Sequence, residues 1–174
     1  TASLVDESLN MLKRADQELS DTNAAIVNAF AIKNQLPVRE VNGNVKIGFY
    51  AENSHRVVDI NKCPIQQPWN EELISIFRNF MHKYSISAYN EEKKEGLIKH
   101  IVARSVGGNL MIIVVINGKN LPFYTELVQM LSISIKKFSL FISENTVDKN
   151  VVLGDNVKLL KEVCQILNVD VLLS

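Results

Sequence analysis

Five side chains in this 174-residue sequence are the first candidates for nucleophilic or metal chemistry. They are two cysteines and three histidines, namely Cys63, Cys164, His55, His82 and His100. No two of them stand at the spacing of a zinc-binding or redox pair, so neither a closed zinc site nor a disulfide framework is expected. The histidines are expected to be ordinary surface or half-buried residues.

Glycine-rich loops and nucleophile elbows are the next signals of chemistry. The sequence has no Walker A loop, no dinucleotide-binding fingerprint and no nucleophile-elbow motif. Gly107-Gly108 is placed in a hairpin rather than at a strand-to-helix turn. We therefore expect no nucleotide or S-adenosylmethionine site and no catalytic constellation in this chain.

Charge is balanced overall but uneven along the chain. Nineteen basic residues match nineteen acidic ones, while by count residues 31–62 carry +2 and residues 1–30 carry −3. This polarity suits a surface that faces phosphate groups, and it equally suits an ordinary mixture of surface charges. The charged run at 91–95 is expected to be a solvated loop.

Composition limits the class of protein. Hydrophobic residues make up 47% and charged residues 22%, which is typical of a globular domain. The longest apolar run, 110–116, is far shorter than a membrane span, and no signal segment opens the chain. The sequence predicts a soluble, cytoplasmic α+β domain. A start at Thr1 and an apolar end at Ser174 favour a piece of a longer protein.

Hydrophobic periodicity predicts the elements that position these residues. The fold class is α+β, with an antiparallel or mixed sheet, helices on one side and a split βαβ-like order, preceded by a hairpin and an N-terminal helix. Asn42-Gly43 is the expected hairpin turn. The segments are a helix at 3–20, strands at 36–41, 45–50 and 56–60, a helix at 69–84, strands at 97–105 and 110–116, a helix at 123–137, a strand at 138–144 and a helix at 156–167. The residues expected to face inward are, from the helix at 69–84, Leu73, Ile76, Phe77 and Phe80 and, from the helix at 123–137, Leu127, Met130, Leu131 and Ile135.

Several stretches resemble one known family in order and spacing. They are KNQLPV at 33–38, GFYAENSHRVVDI at 48–60, CPIQ at 63–66, GLIKHIVAR at 96–104, NGKNLP at 117–122 and NVVLGD at 150–155. Together they resemble the bacterial 23S rRNA (uracil-C5) methyltransferases, whose members combine an oligonucleotide-binding barrel, a central α+β domain and a Rossmann-type catalytic domain. The resemblance implies that residues 31–174 are the central domain and leaves the helical segment 1–30 unmatched.

The resemblance also implies where the chemistry lies. Family members transfer a methyl group from S-adenosylmethionine to C5 of a uridine, after a cysteine adds to C6 of the extruded base. The cofactor motif, the nucleophile and the base of the family lie beyond Ser174, so the isolated chain is expected to be inactive. RNA, by resemblance 23S rRNA, is the expected partner, with neither DNA nor a membrane. The alternative is a stand-alone α+β module that binds RNA or protein.

The two cysteines receive different interpretations. Cys63 matches the position at which many family members supply the fourth ligand of a 4Fe–4S cluster, but the other three cysteines do not occur in this chain. Either they precede Thr1 or the cluster has been lost, and Cys63 in the isolated chain is expected to be buried and unligated. Cys164, beside Leu160 and Leu167 on a predicted helix, is expected to be a core thiol.

Seven residues are predicted to contact RNA. They belong to the hairpin region and to the strand at 97–105: Lys33, Gln35, Arg39, His55, Arg56, Lys99 and Arg104. Arginine suits phosphate because its guanidinium donates two parallel hydrogen bonds. Strand alternation puts Lys99 on the same face as Ala103, so Arg104 would need the twist or the end of the strand to reach the same ligand.

Overall fold

The computed structural model describes residues 6–15, 17–18, 35–60, 68–106, 108–147, 152–154 and 156–164. The chain divides into two compact units, 1–34 and 35–174. In the first unit, residues 6–15 and 17–18 are helical and form α1, as predicted for 3–20. No helix of the described ranges is long and apolar enough to cross a membrane.

The second unit is built on a seven-stranded, mostly antiparallel sheet, which confirms the predicted α+β class. In chain order its elements are β1 (Gln35–Val41), β2 (Asn44–Tyr50), β3 (Val57–Asp59), α2 (Pro68–Lys83), β4 (Ile98–Val106), β5 (Asn109–Ile116), α3 (Tyr124–Ser134), β6 (Lys137–Glu144) and β7 (Asn156–Cys164).

The strands are ordered β3-β2-β1-β4-β5-β6-β7 across the sheet, and only the β5–β6 pair is parallel. The order of elements from β3 to β6 along the chain is the predicted one. In space, β3 lies at one edge of the sheet, where it pairs with β2, and β2 and β1 separate it from β4, β5 and β6. The strands therefore do not interleave as a split βαβ arrangement requires.

Helices α2 and α3 cover one face of the sheet. The residues predicted to face inward from α2 are all buried: Leu73, Ile76, Phe77 and Phe80. In α3, Leu127 and Leu131 are fully buried and Met130 is partly buried, as is Ile135 directly after the helix. Alternate residues of the central strands, such as Ile112 and Val114, pack against these helices.

The β1–β2 hairpin closes through the predicted turn. Asn42 and Gly43 have positive φ angles of 52° and 81°, as a two-residue turn of the primed type requires. The turn sets the register in which Arg39 faces Lys46 across the two strands. Arg39, Lys46 and Tyr50 therefore share the face of the sheet opposite to α2 and α3.

The helix predicted at 156–167 is wrong, because residues 156–164 form β7 along the edge of β6. A register shift in this ladder makes Leu160 an extra residue between the paired Leu159 and Lys161. The bulge lets both Leu160 and Val163 pack against the core, although an odd spacing would separate them in a regular strand. A bulged strand can thus place residues three apart on one face, as a helix does. Cys164 is consequently the last residue of a strand.

Candidate functional site

A cavity of about 480 Å³ opens on the β1–β2–β3 side of the molecule. Its walls come from the hairpin turn, the loop between β2 and β3, and the turn at 90–93. Its charged lining consists of four cations, Arg39, Lys46, Arg56 and Lys93, and three carboxylates, Glu40, Glu91 and Glu92. His55 also lines it.

Arg39 lies at the base of this cavity and is only 6% exposed. Its Nη1 donates to the carbonyl oxygens of Val38, at 2.9 Å, and of Lys99, at 2.6 Å. Its Nε donates to Glu91 Oε1 at 3.1 Å, and its Nη2 donates to Tyr50 Oη at 2.7 Å. Protein acceptors thus occupy the guanidinium, so Arg39 holds β1, β2, β4 and the 90–93 turn together.

His100 continues this network on β4. Its Nε2 lies 3.3 Å from Tyr50 Oη, and its Nδ1 is buried without a hydrogen-bond partner. Burial, followed by the positive charges of Arg39 and Lys99, lowers the pKa of His100 to about 3. The imidazole is therefore neutral at physiological pH. Because Tyr50 Oη accepts a hydrogen bond from Arg39, we infer that the Tyr50 hydroxyl in turn donates its hydrogen bond to His100 Nε2.

The charged run at 91–95 forms an ordered turn. Asn90 Oδ1 accepts hydrogen bonds from the backbone N–H groups of Glu92 and Lys93, each at 3.0 Å. The Asn90 side chain also donates to Glu40, and this hydrogen bond, with one from the Gly43 N–H, lowers the pKa of the Glu40 carboxyl. Glu40 is thereby held as a carboxylate on the rim, and the turn places Lys93 beside it.

The loop between β2 and β3 presents His55 and Arg56. The Ala51 N–H donates to the Arg56 carbonyl at 2.8 Å, and Ser54 Oγ accepts from the Arg56 N–H at 2.9 Å. Gly48 permits the close pairing behind this loop, because a Cβ there would lie 1.8 Å from the Val58 carbonyl oxygen. Within the described residues, no hydrogen bond or ion pair occupies the Arg56 guanidinium.

The seven predicted RNA contacts are only partly brought together. Arg39, His55 and Arg56 line the cavity, whereas Gln35 and Arg104 lie elsewhere on the sheet, paired with Val102 and Met111. Lys33 lies outside the described residues, as does Cys63.

Lys99 is 7% exposed and occupies a register shift between β4 and β5. Its Nζ donates to the Asn145 carbonyl at 3.2 Å and lies 4.6 Å from the centroid of the Tyr89 ring. Its carbonyl oxygen supports Arg39. Lys99 thus contributes to the base of the network through its backbone.

Sequence reasoning missed Lys46 and Lys93 as cavity cations. Lys46 could have been found, because the Asn-Gly turn fixes its register opposite Arg39. Lys93 could not, because the Asn90-centred turn that places it is not evident from a run of charges. Among the described residues, no group of three His, Cys, Asp or Glu side chains is arranged to hold a metal ion.

No family model matches the chain. Individual proteins do match, beginning with an uncharacterized RNA methyltransferase of Clostridium acetobutylicum that is 36% identical over 125 residues, covering 70% of this chain and 27% of that protein. A protein of the same description from Clostridium tetani is 32% identical over 155 residues, which cover 86% of this chain and 34% of that protein. Another, from Listeria innocua, is 31% identical over 160 residues, which cover 90% of this chain and 35% of that protein.

A solved structure shares the fold. It is the Pyrococcus abyssi tRNA (uracil-54, C5)-methyltransferase in complex with S-adenosyl-L-homocysteine, with a TM-score of 0.57 and 24% identity over 75% of this chain and 29% of that one. The chain thus spans about a third of the length of the curated relatives it matches. These comparisons support the RNA methyltransferase family for this chain.

Proposed function

We propose that this chain is the central, RNA-positioning domain of a cytoplasmic, S-adenosylmethionine-dependent RNA uracil-C5 methyltransferase. The observation that carries the proposal is that the most family-like stretch, 48–60, forms part of the wall of the charged cavity. The relatives named RNA methyltransferases and the neighbour named a tRNA uracil-C5 methyltransferase support the same activity.

The cavity suits the RNA backbone. The side chains of Lys46, Arg56 and Lys93 form no hydrogen bond or ion pair among the described residues, whereas the Arg39 side chain is paired with Glu91. Cationic side chains without such partners can bind the phosphates of RNA and displace its counterions, which gives affinity without base specificity. The domain therefore orients RNA, and a catalytic domain outside this chain supplies methyl transfer.

The substrate follows from the resemblance. We propose 23S rRNA, with a uridine as the target, rather than DNA or a membrane-bound substrate. A methylation assay with the full natural protein, tritiated S-adenosylmethionine and matched rRNA and tRNA transcripts tests this directly. Methylation of tRNA alone would overturn the rRNA assignment, and RNA binding without any methyl transfer would favour the non-catalytic module.

The candidate iron–sulfur ligand Cys63 lies outside the described residues, so its role in a cluster of the full protein stays a prediction.

Phosphate binding is tested by replacing the three available cations together. The triple variant Lys46→Ala, Arg56→Ala, Lys93→Ala is compared with a control that removes three exposed lysines elsewhere, Lys119→Ala, Lys136→Ala, Lys158→Ala. We expect the cavity variant to flatten the dependence of log binding constant on log salt by about 0.7 to 0.9 for each lost phosphate contact. Equal slopes for the two triple variants would place the RNA surface elsewhere.

A further inference from the structure

Tyr50 ends β2 with a side chain that is both exposed and anchored. The residue is 38% exposed, yet its hydroxyl is held by two buried groups. Arg39 Nη2 lies 2.7 Å from Tyr50 Oη, and His100 Nε2 lies 3.3 Å from the same oxygen. Neither anchor is available for solvent, since both are more than nine-tenths buried. The network fixes the ring of an otherwise exposed tyrosine.

The ring itself is also held by its neighbours. The Arg39 Cζ atom lies 5.8 Å from the ring centroid, within the range of a cation–π contact, and the His100 ring meets Tyr50 at 65° with centroids 6.4 Å apart. A rigid aromatic side chain loses little conformational entropy when a ligand stacks on it. This anchoring does not serve to pack the tyrosine into the core, because more than a third of the residue stays exposed.

A second ring stands at a right angle to the first. His55, which is exposed, has its ring centroid 5.8 Å from that of Tyr50, with an interplanar angle of 78°. The loop that carries His55 is held by the Ala51–Arg56 and Ser54–Ala51 backbone hydrogen bonds. The two rings form an aromatic corner, and His55 belongs at the same time to the lining of the charged cavity.

We propose that this aromatic corner, Tyr50 and His55, receives one unpaired base of an RNA whose phosphates are bound by Lys46, Arg56 and Lys93. The proposal rests on the proposed RNA-binding function and names the form of RNA that the site takes: a single strand, a loop or a bulge. Bases of a continuous A-form duplex are stacked on one another and cannot enter such a corner, whereas unpaired bases stack on aromatic side chains.

Binding of a fluorescent single-stranded RNA of 12 nucleotides, and of the duplex it forms with its complement, tests the proposal on the full chain. We expect the single strand to bind more tightly than the duplex. Tyr50→Leu should weaken single-strand binding by about 5- to 100-fold, the effect of losing one stacked base, and leave the salt dependence unchanged. Tyr50→Phe keeps the stacking surface and should stay within about threefold of the unmodified protein.

Two further variants keep the test independent of folding. His55→Ala removes an exposed wall of the corner and should weaken single-strand binding severalfold. Tyr124→Leu removes an aromatic side chain of similar exposure, 36%, on another element and should change nothing. A 2-aminopurine base in the single strand should be quenched on binding, and less so with Tyr50→Leu.

The outcomes separate this inference from the proposed function. Cation-dependent RNA binding that is equal for single strand and duplex, or that is unchanged in both Tyr50→Leu and His55→Ala, would overturn the aromatic corner and leave the proposed function intact. A complete absence of RNA binding would overturn both.

Discussion

The two faces of the sheet differ in what holds them together. The face under α2 and α3 is apolar, with Phe77, Phe80 and Phe138 fully buried. The opposite face also buries apolar residues of the central strands, such as Ile113 and Val115, and beside them it carries a hydrogen-bonded network in which Arg39 joins three strands and the 90–93 turn. The core under α2 and α3 is stabilised by packing, so apolar side chains of similar volume can replace one another there. The Arg39 network is stabilised by particular hydrogen bonds, so it depends on the identity of each donor and acceptor.

The cavity beside this network is lined by two kinds of cation. Arg39 is buried and its side-chain donors are occupied, while the side chain of Arg56, on the rim of the same cavity, has no partner among the described residues. A count of positive charges along the chain treats them alike. The structure separates an arginine that maintains the cavity from one that is available to a ligand.

The largest effect is expected on the covered face. Phe77→Ala should lower the free energy of unfolding by about 3 to 5 kcal/mol, because it leaves a cavity between α2 and the sheet. Urea denaturation monitored by circular dichroism measures this. Ile133→Ala is the control, since Ile133 is 87% exposed and its loss should cost less than about 0.5 kcal/mol. Similar losses for both variants would contradict the division between the two faces.

Breaking the network should have the next largest effect. Arg39→Ala leaves the carbonyl oxygens of Val38 and Lys99 and the Tyr50 hydroxyl without their donor, and we expect a loss of about 2 to 3 kcal/mol in the free energy of unfolding.

Arg39→Lys keeps the charge but cannot reproduce the planar set of donors, so it should recover less than half of that loss. The same urea denaturation applies to both variants. Full recovery by lysine would show that the charge beside Glu91, rather than the hydrogen bonds, matters at this position.

The third effect concerns pH. The pKa of His100 is about 3 in the folded protein and 6.5 for the unperturbed side chain, so the unfolded chain binds more protons between these values. The contribution of neutral His100 to stability is present in full above pH 6.5 and is lost as the pH falls toward 3.

Between pH 7 and pH 5 this linkage should lower the free energy of unfolding by about 2 kcal/mol. His100→Gln removes the titrating group, so the pH dependence of unfolding should become shallower by that amount when the two proteins are compared in the same buffers. Parallel stability curves for the two proteins would show that His100 is protonated without penalty.

Hydrophobic periodicity was sufficient to predict most of the helices and strands, and it failed where a strand is irregular. The four apolar positions of α2 and the Asn42-Gly43 turn followed directly from spacing and residue type. Spacing failed at Leu160, because a bulged strand places residues three apart on one face, as a helix does. It also failed at Lys99, where a register shift interrupts the alternation that had grouped this lysine with Ala103.

Prediction of the candidate site had a different limit. The sequence resemblance pointed to 48–60, and the structure places His55 and Arg56 from this stretch on the cavity. Whether a cation is available depends on contacts between residues that are distant in sequence, such as Arg39 with Glu91 and with the Lys99 carbonyl. Residue type and local spacing contain no information about those contacts, so Arg39 and Arg56 could not be distinguished.

The smallest expected effect on stability belongs to Arg56. Its side chain is exposed and unpartnered among the described residues, so Arg56→Ala should change the free energy of unfolding by less than about 0.5 kcal/mol. The same variant should weaken RNA binding and flatten its salt dependence by about one unit, because one phosphate contact is lost. Thermal unfolding and a salt titration of RNA binding on the same preparation give both numbers.

The two arginines would then show opposite profiles, since Arg39→Lys should affect folding more than the salt dependence. If Arg56→Ala destabilised the fold as strongly as Arg39→Ala, or left the salt dependence unchanged, the distinction between a maintaining and a binding arginine on this face would be wrong.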